Sequence, residues 1–463
     1  MKFSGYFGGA ILLSIMVLII GCRKEEVVPE VTLSDDFESG SIGLVQKISD
    51  LSWELYLADD NDNAGLPDNW RNWWYLKMED VKVTDAVAFT LKNRGWPYYY
   101  LPVYSYDKKN WHRFQESEVT QNSARELIFV KQFDQPDFWM ARFYPYTYTD
   151  LKEYLKKIEG NPYVKISTPG LTQKGNSVYL IEVTDFDVPV TGKNRIFIHA
   201  RTHPAETPPS FVIEGLIDYL LDESPQALAI LSQFEFYIFP MQNVDGVIVG
   251  NYRTTPMSEN LEVMWLFDVL SPLELSDVTP AEVRILHQLA KNLMQDGGPP
   301  VSIALNLHAS NSEPDIRTFF YPHFGPEQMG YDSHEAALWN KQCAFIGSFA
   351  SHFGADMIEP LPVEGGSSFA TNTYPESWWW ANFKDEVMAM TMEMTYGRSG
   401  FVPRWIDPND MRTIGRAIAM GIADYFNPAF TLPFANGSTE KGKMVPLKYP
   451  NLYPPAAADE NKK

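Results

Sequence analysis

The sequence predicts two folded units: an all-β sandwich over residues 37–150, then an α/β domain over 151–427, a mixed and mainly parallel sheet covered by helices on both faces. Three observations predict this. Up to about Tyr148, short runs such as Trp53-Glu54-Leu55-Tyr56-Leu57 and Val81-Lys82-Val83 alternate apolar and polar residues between Asp, Asn, Gly and Pro clusters, as half-buried strands require. After Asp150, continuous apolar runs appear, Arg195-Ile196-Phe197-Ile198-His199 and Phe236-Tyr237-Ile238-Phe239, which suit strands buried on both faces. Helical periods lie between them, with Val212, Leu216, Tyr219 and Leu220 on one face and Ile414, Ile418 and Ile422 on another.

At 463 residues the chain is long enough for two or three domains, and its 28 Phe, 24 Tyr and 13 Trp can fill large cores. A net charge of -21 repels phosphate backbones, so nucleic acid is excluded as a partner. Two cysteines, Cys22 and Cys343, cannot build a disulfide framework or a cysteine metal site. A metal would have to be held by His and carboxylate.

Taken in order, the amino terminus has a charge at Lys2 and an apolar stretch from Ile11 to Ile20, too short to span a bilayer comfortably. It ends Leu18-Ile19-Ile20-Gly21-Cys22, which resembles the bacterial lipobox; an ordinary signal peptide is the alternative. The expectation is a lipoprotein signal over 1–21, an acylated Cys22, a tether over 22–36, and an exported chain held at the bacterial cell envelope by that lipid anchor only. Cys343 is then a lone apolar thiol. Seven Trp fall in the front domain (Trp53, Trp70, Trp73, Trp74, Trp96, Trp111 and Trp139), and a packed core explains them better than a sugar-binding face. Residues 428–463 are a Pro-rich tail.

The chemistry begins after the strand that reaches His199. His203 and Glu206 lie three residues apart at the carboxyl edge of that strand, where α/β sheets bind ligands, though such pairs also arise by chance as surface or capping pairs. A second apolar strand, Val301 to Leu307, leads into His308, and two His with one Glu form the ligand set of a catalytic zinc. Glu393 stands in the apolar run Met390-Thr391-Met392-Glu393-Met394-Thr395. Burial there raises its pKa toward that of a general base unless it pairs with an Arg.

In order, His203-Pro204-Ala205-Glu206, Gln242-Asn243-Val244-Asp245-Gly246-Val247, Gly250-Asn251-Tyr252-Arg253, Asn306-Leu307-His308, Tyr374-Pro375 and Glu393 resemble the zinc carboxypeptidases of the cytosolic-carboxypeptidase type. Phe37-Glu38-Ser39-Gly40 and Tyr144-Pro145-Tyr146-Thr147-Tyr148 are similar to the β-sandwich that precedes the catalytic domain in that subfamily. The resemblance implies one zinc ion per chain on His203, Glu206 and His308. It implies Glu393 as the base that deprotonates the attacking water, Arg253 as the group that stabilises the oxyanion, Tyr374 closing over the substrate, and a peptide or amide as that substrate.

Where the family has Asp-Leu-Asn-Arg, this chain reads Asn260-Leu261-Glu262-Val263. Asn260 then replaces the carboxylate that orients the first zinc His, and Glu262 and Val263 replace the Asn and Arg that clamp a substrate's terminal carboxylate. The expectation is a pocket in which Glu262 repels a free carboxylate or receives a cation, with Arg398 or Arg317 as a relocated clamp. The leading reading is a zinc hydrolase of peptide or amide bonds; the alternatives are a non-catalytic envelope binding protein on the same fold, or a zinc esterase or deacylase.

Overall fold

The computed structural model describes residues 30–310, 317–359, 365, 371–399 and 404–427. Cys22, the signal and the tail lie outside them. The front domain is a sandwich of two five-stranded sheets. One orders its strands Thr32–Ser34, Tyr75–Glu79, Phe138–Ala141, Val103–Ser105 and Trp111–Arg113; the other orders Leu44–Ser49, Ser52–Tyr56, Val87–Lys92, Leu127–Lys131 and Val119–Gln121. Alternation sends Trp53, Leu55, Phe89 and Phe129 inward, where Trp74, Phe114 and Phe138 meet them. Of the seven Trp, Trp53, Trp73 and Trp74 are buried, and Trp70, Trp111 and Trp139 pack partly buried against the core, so the core explanation holds for six; Trp96 is exposed. The expected tether also ends sooner than Asp36, because Thr32–Ser34 already pairs with Tyr75–Glu79 and Leu33 packs on the core.

The second domain is built on seven strands in the order Val164–Leu171, Ser177–Val183, Phe234–Phe239, Asn194–Ala200, Val301–Ser310, Met388–Thr395, Phe319–Tyr321. The Phe234, Asn194, Val301 and Met388 strands are mutually parallel, and each of the three outer ones pairs antiparallel with its neighbours. Helices Pro208–Leu220 and Pro408–Phe426 cover one face, and Ala281–Gln295 and Pro375–Phe383 contribute to the core on the other. The Trp378-Trp379-Trp380 run belongs to that second core. Among the described residues no helix is long and apolar enough to cross a membrane.

Register sets up the site. His308 lies inside its strand, which runs on to Ser310, and is the direct parallel neighbour of Glu393; Ala200, just before the His203 loop, neighbours Leu307. All the chemistry therefore gathers at the carboxyl ends of three adjacent parallel strands, where the backbone leaves the sheet and a crevice opens. The two domains meet closely nearby. Ser39 donates its amide to Ile248 O (3.0 Å) and its hydroxyl to Val247 O (2.7 Å). Gly250, at φ 77°, presses so tightly on Gly40 that a Cβ would strike the Gly40 carbonyl.

Candidate metal centre

The loop after Ala200 is held before any ligand is considered. Arg201, buried and at φ 57°, donates to Pro204 O (2.9 Å), Tyr146 O (3.0 Å) and Ser210 Oγ (2.8 Å). Thr202 Oγ1 donates to Gln242 Oε1 (2.8 Å), and Asn243 Nδ2 to Thr202 O (3.2 Å). The Gln242–Gly246 motif thus braces the loop, and Pro208 and Pro209 start the helix behind it.

On this frame His203 Nδ1 lies 2.8 Å from Glu206 Oε1, His308 Nδ1 lies 2.8 Å from Glu206 Oε2, and the two Nδ1 atoms are 3.1 Å apart. All three residues are buried, and their ligand atoms form one cluster. A tetrahedral zinc with bonds of 2.0–2.1 Å holds its ligands about 3.3 Å apart, so this triad fits the ion with a small outward adjustment. Electrostatics agrees. Burial disfavours a charged His308, yet Glu262 and Glu206 hold its pKa well above the ordinary value, so the pocket favours positive charge. Burial likewise opposes the Glu206 carboxylate, but the two imidazoles hold its pKa well below normal.

The outer nitrogens are held too. His203 Nε2 donates to Asn260 Oδ1 (3.1 Å), the contact expected from the alignment of Asn260 with the family's Asp. His308 Nε2 donates to Glu262 Oε2 (3.0 Å), and Asn306 Nδ2 lies 3.2 Å from both Glu262 oxygens. This corrects the expectation for Glu262. Its carboxylate is buried against a metal ligand and already accepts from His308 and Asn306; it is not a free anion awaiting a substrate.

Glu393 and Arg253 are half-buried, and their charges act on the triad. Burial first, then the Glu206 charge, push the Glu393 carboxyl up to about 8, with His308 and Arg253 pulling the other way. Glu393 Oε2 and Arg253 Nε are buried without a hydrogen-bond partner among the described residues, as expected of groups that await a substrate. Tyr374, at the amino end of helix Pro375–Phe383, has its phenol pKa raised by burial and by Glu262 and lowered by Arg253, so it belongs to the same crevice. Arg398 lies 3.5 Å from Glu116 of the front domain and over the Trp405 ring. Arg317 donates its amide to Glu359 (2.8 Å) at the start of the edge strand.

Sequence reasoning missed Glu376. It is buried two residues after Tyr374, accepts from Thr391 Oγ1 (2.8 Å), and is pushed up to about 7 by burial and by Glu262. A Glu inside a Trp-rich segment was the available signal.

A His–Glu–His cluster at the carboxyl edge of neighbouring parallel strands, behind a β-sandwich, is the arrangement that the resemblance to zinc carboxypeptidases implies. Comparison with known proteins agrees. Residues 33–143 match the family model described as the cytosolic carboxypeptidase N-terminal domain, and 151–264 match that of the zinc carboxypeptidases. The two matches follow one another along the chain in the order that its motifs indicated. The second match stops before His308, Tyr374 and Glu393, whose assignment rests on geometry. The chain is 29% identical to mouse cytosolic carboxypeptidase 6 over 60% of its own length and 52% of that protein's. It is 31% identical to human cytosolic carboxypeptidase 2 over 49% of its length and 28% of that protein's. It therefore spans about half or less of these curated relatives. Its fold is shared with a metallo-carboxypeptidase from Burkholderia cenocepacia (TM-score 0.70, 19% identity, 87% of this chain and 100% of that one). It is shared also with a Pseudomonas aeruginosa metallo-carboxypeptidase crystallised with (2-guanidinoethylmercapto)succinic acid (TM-score 0.68, 20% identity, 85% and 98%).

Proposed function

We propose that this chain is a zinc-dependent hydrolase of peptide or amide bonds, of metallocarboxypeptidase type, with altered recognition of the substrate terminus. One observation carries the reading: the His203, Glu206 and His308 ligand atoms cluster as a metal site, and near them Glu393 Oε2 and Arg253 Nε have no hydrogen-bond partner among the described residues. Among the described residues Glu393 forms no ion pair with a distant Arg, the arrangement that would have favoured the non-catalytic alternative.

His203, Glu206 and His308 would hold the ion, which supplies Lewis acidity and lowers the pKa of water. Glu393 accepts the proton of the attacking water and returns it to the leaving amine. Arg253 stabilises the negative charge that develops on the carbonyl oxygen. Tyr374 narrows the crevice over the substrate.

At the terminus, Val263 offers no donor and Glu262 is committed to His308, so neither position can grip a carboxylate. Loss of the clamp, rather than repulsion by Glu262, is the basis for expecting weak preference for a free terminal carboxylate. The reading also includes export and anchoring through acylated Cys22, supported by the Leu18–Cys22 sequence.

The test is metal analysis of the soluble chain followed by digestion of matched peptides, free and amidated at the carboxyl terminus. Hydrolysis in wild type and not in Glu393→Gln supports the reading. A zinc-loaded chain that cleaves no member of a broad peptide library overturns it, and a strong preference for the free carboxylate overturns the lost clamp.

A further inference from the structure

The loop that carries Arg253 is held from outside its own domain. Residues Asp59–Asn63 form a short projection of the front sandwich, in which Asn61 and Asp62 take left-handed φ angles of 58° and 56°. Asn and Asp enter that region at less cost than other side-chain-bearing residues. At its tip Asp60 is only 7% exposed. Its carboxylate accepts from the backbone amides of Tyr252 (2.6 Å), Arg253 (2.8 Å) and Thr254 (2.8 Å), and from the Thr254 hydroxyl (3.0 Å).

Three consecutive amides converging on one carboxylate leave that stretch of main chain little freedom. Asn61 extends the grip: its Nδ2 donates to Thr255 O (3.0 Å) and Ser258 Oγ (3.1 Å), and Asn251 Nδ2 donates back to Asn61 Oδ1 (2.9 Å). The side chain of Arg253 is met by the same domain. Half-buried Trp70 places its ring 5.4 Å from the guanidinium carbon, within the range of a cation–π contact.

We propose that the front domain completes the active site, with Asp60 and Trp70 as positioning residues for Arg253: Asp60 fixes its main chain and Trp70 its guanidinium. The proposal rests on the reading of Arg253 as the oxyanion-stabilising group. A long flexible cation contributes most to catalysis when it is ordered before charge develops, and a free Arg must be ordered at that moment. Here both ends of the residue are constrained by a domain that offers no metal ligand and no base. A purely adhesive role for Asp60 would not require its donors to be the amide of Arg253 and those on either side of it.

The experiment compares the full chain, zinc-loaded, as wild type, Asp60→Ala, Asp60→Asn, Trp70→Leu, Trp70→Phe, Arg253→Ala and Asp60→Ala with Arg253→Ala. Zinc content and Tm are recorded for each. Asp60→Ala should lower kcat by up to about 100-fold, as small misplacements of a catalytic group do, with KM changed much less and zinc retained. Trp70→Leu should lower kcat by less, and Trp70→Phe should recover most of that loss. The double variant should be no slower than Arg253→Ala alone, because a positioning residue has nothing left to position.

A second readout needs no turnover. In 15N-labelled protein the Arg253 Nε–H resonance, identified by its loss in Arg253→Lys, should sit under the ring current of Trp70 and move in Trp70→Leu and in Asp60→Ala. Multiplicative losses in the double variant, or an Arg253 resonance unmoved by both substitutions, overturn the proposal. If Asp60→Ala does not fold, the Trp70 variants decide. If wild type cleaves nothing, the hydrolase reading fails while the resonance still judges whether the front domain positions Arg253.

Discussion

Replacing Glu262 by Gln isolates what the carboxylate behind His308 contributes. Glu262 accepts from His308 Nε2 at 3.0 Å and lies 3.2 Å from Asn306 Nδ2 through each oxygen. Gln keeps the shape but turns one acceptor oxygen into a donor group, so with its oxygen toward His308 it must present an N–H to Asn306 Nδ2 where the second carboxylate oxygen had accepted. The lost charge also makes His308 Nδ1 a poorer donor to a metal. Changes of this kind weaken metal binding by about 10 to 100-fold, or about 1.4–2.7 kcal/mol. The assay is competition for zinc against a chelator of known affinity at fixed pH, with Glu206→Ala as the control that removes a ligand outright. Asn260→Asp, which gives His203 the charged acceptor it lacks, should tighten binding. Unchanged zinc affinity in Glu262→Gln, with the control weakened, would show that the 3.0 Å contact contributes nothing to the centre and refute the reasoning.

Three further outcomes are expected. Glu393→Gln should abolish turnover with zinc still bound; near-normal turnover removes the base assignment. Glu376 is an acid whose pKa is raised on folding, from 4.5 to about 7, so the stability it confers is full below about pH 4.5 and is lost as pH rises toward 7. In chelator, wild type should therefore lose up to about 1.4 kcal/mol per pH unit relative to Glu376→Gln across that window, read from denaturation midpoints, and parallel curves would contradict the burial argument. Fatty-acid labelling of the native chain should disappear in Cys22→Ser; labelling that persists would remove Cys22 from the anchoring proposal.

The fold class and the triad were legible because each rests on local pattern: apolar runs for the buried strands, and ligands placed where those runs end. The neighbouring register of His308 and Glu393 follows from the same logic, since both stand near the carboxyl ends of continuous apolar strands. Glu262 was misread because spacing shows only which motif position a residue fills. Where its carboxylate lies depends on donors from His308 and Asn306, more than 40 residues away. Asp60 and Trp70 left no signal, since their partners lie about 190 residues further on, across a domain boundary. The edge strand Thr32–Ser34 was taken for tether because three residues are too few to show alternation.

The contact between Gly40 and Gly250 has a consequence for how this protein can be divided. Backbone meets backbone there with no space for even a methyl group, so the seam cannot be softened or rebuilt with larger side chains. Ordinary modular proteins are joined by a linker that can be cut and respliced. Here, excising the sandwich would uncover Val247, Gly250 and the Arg253 loop together, leaving a fragment with an open flank beside its reactive centre. The two halves are better regarded as one heritable unit, whose parts can change only in step.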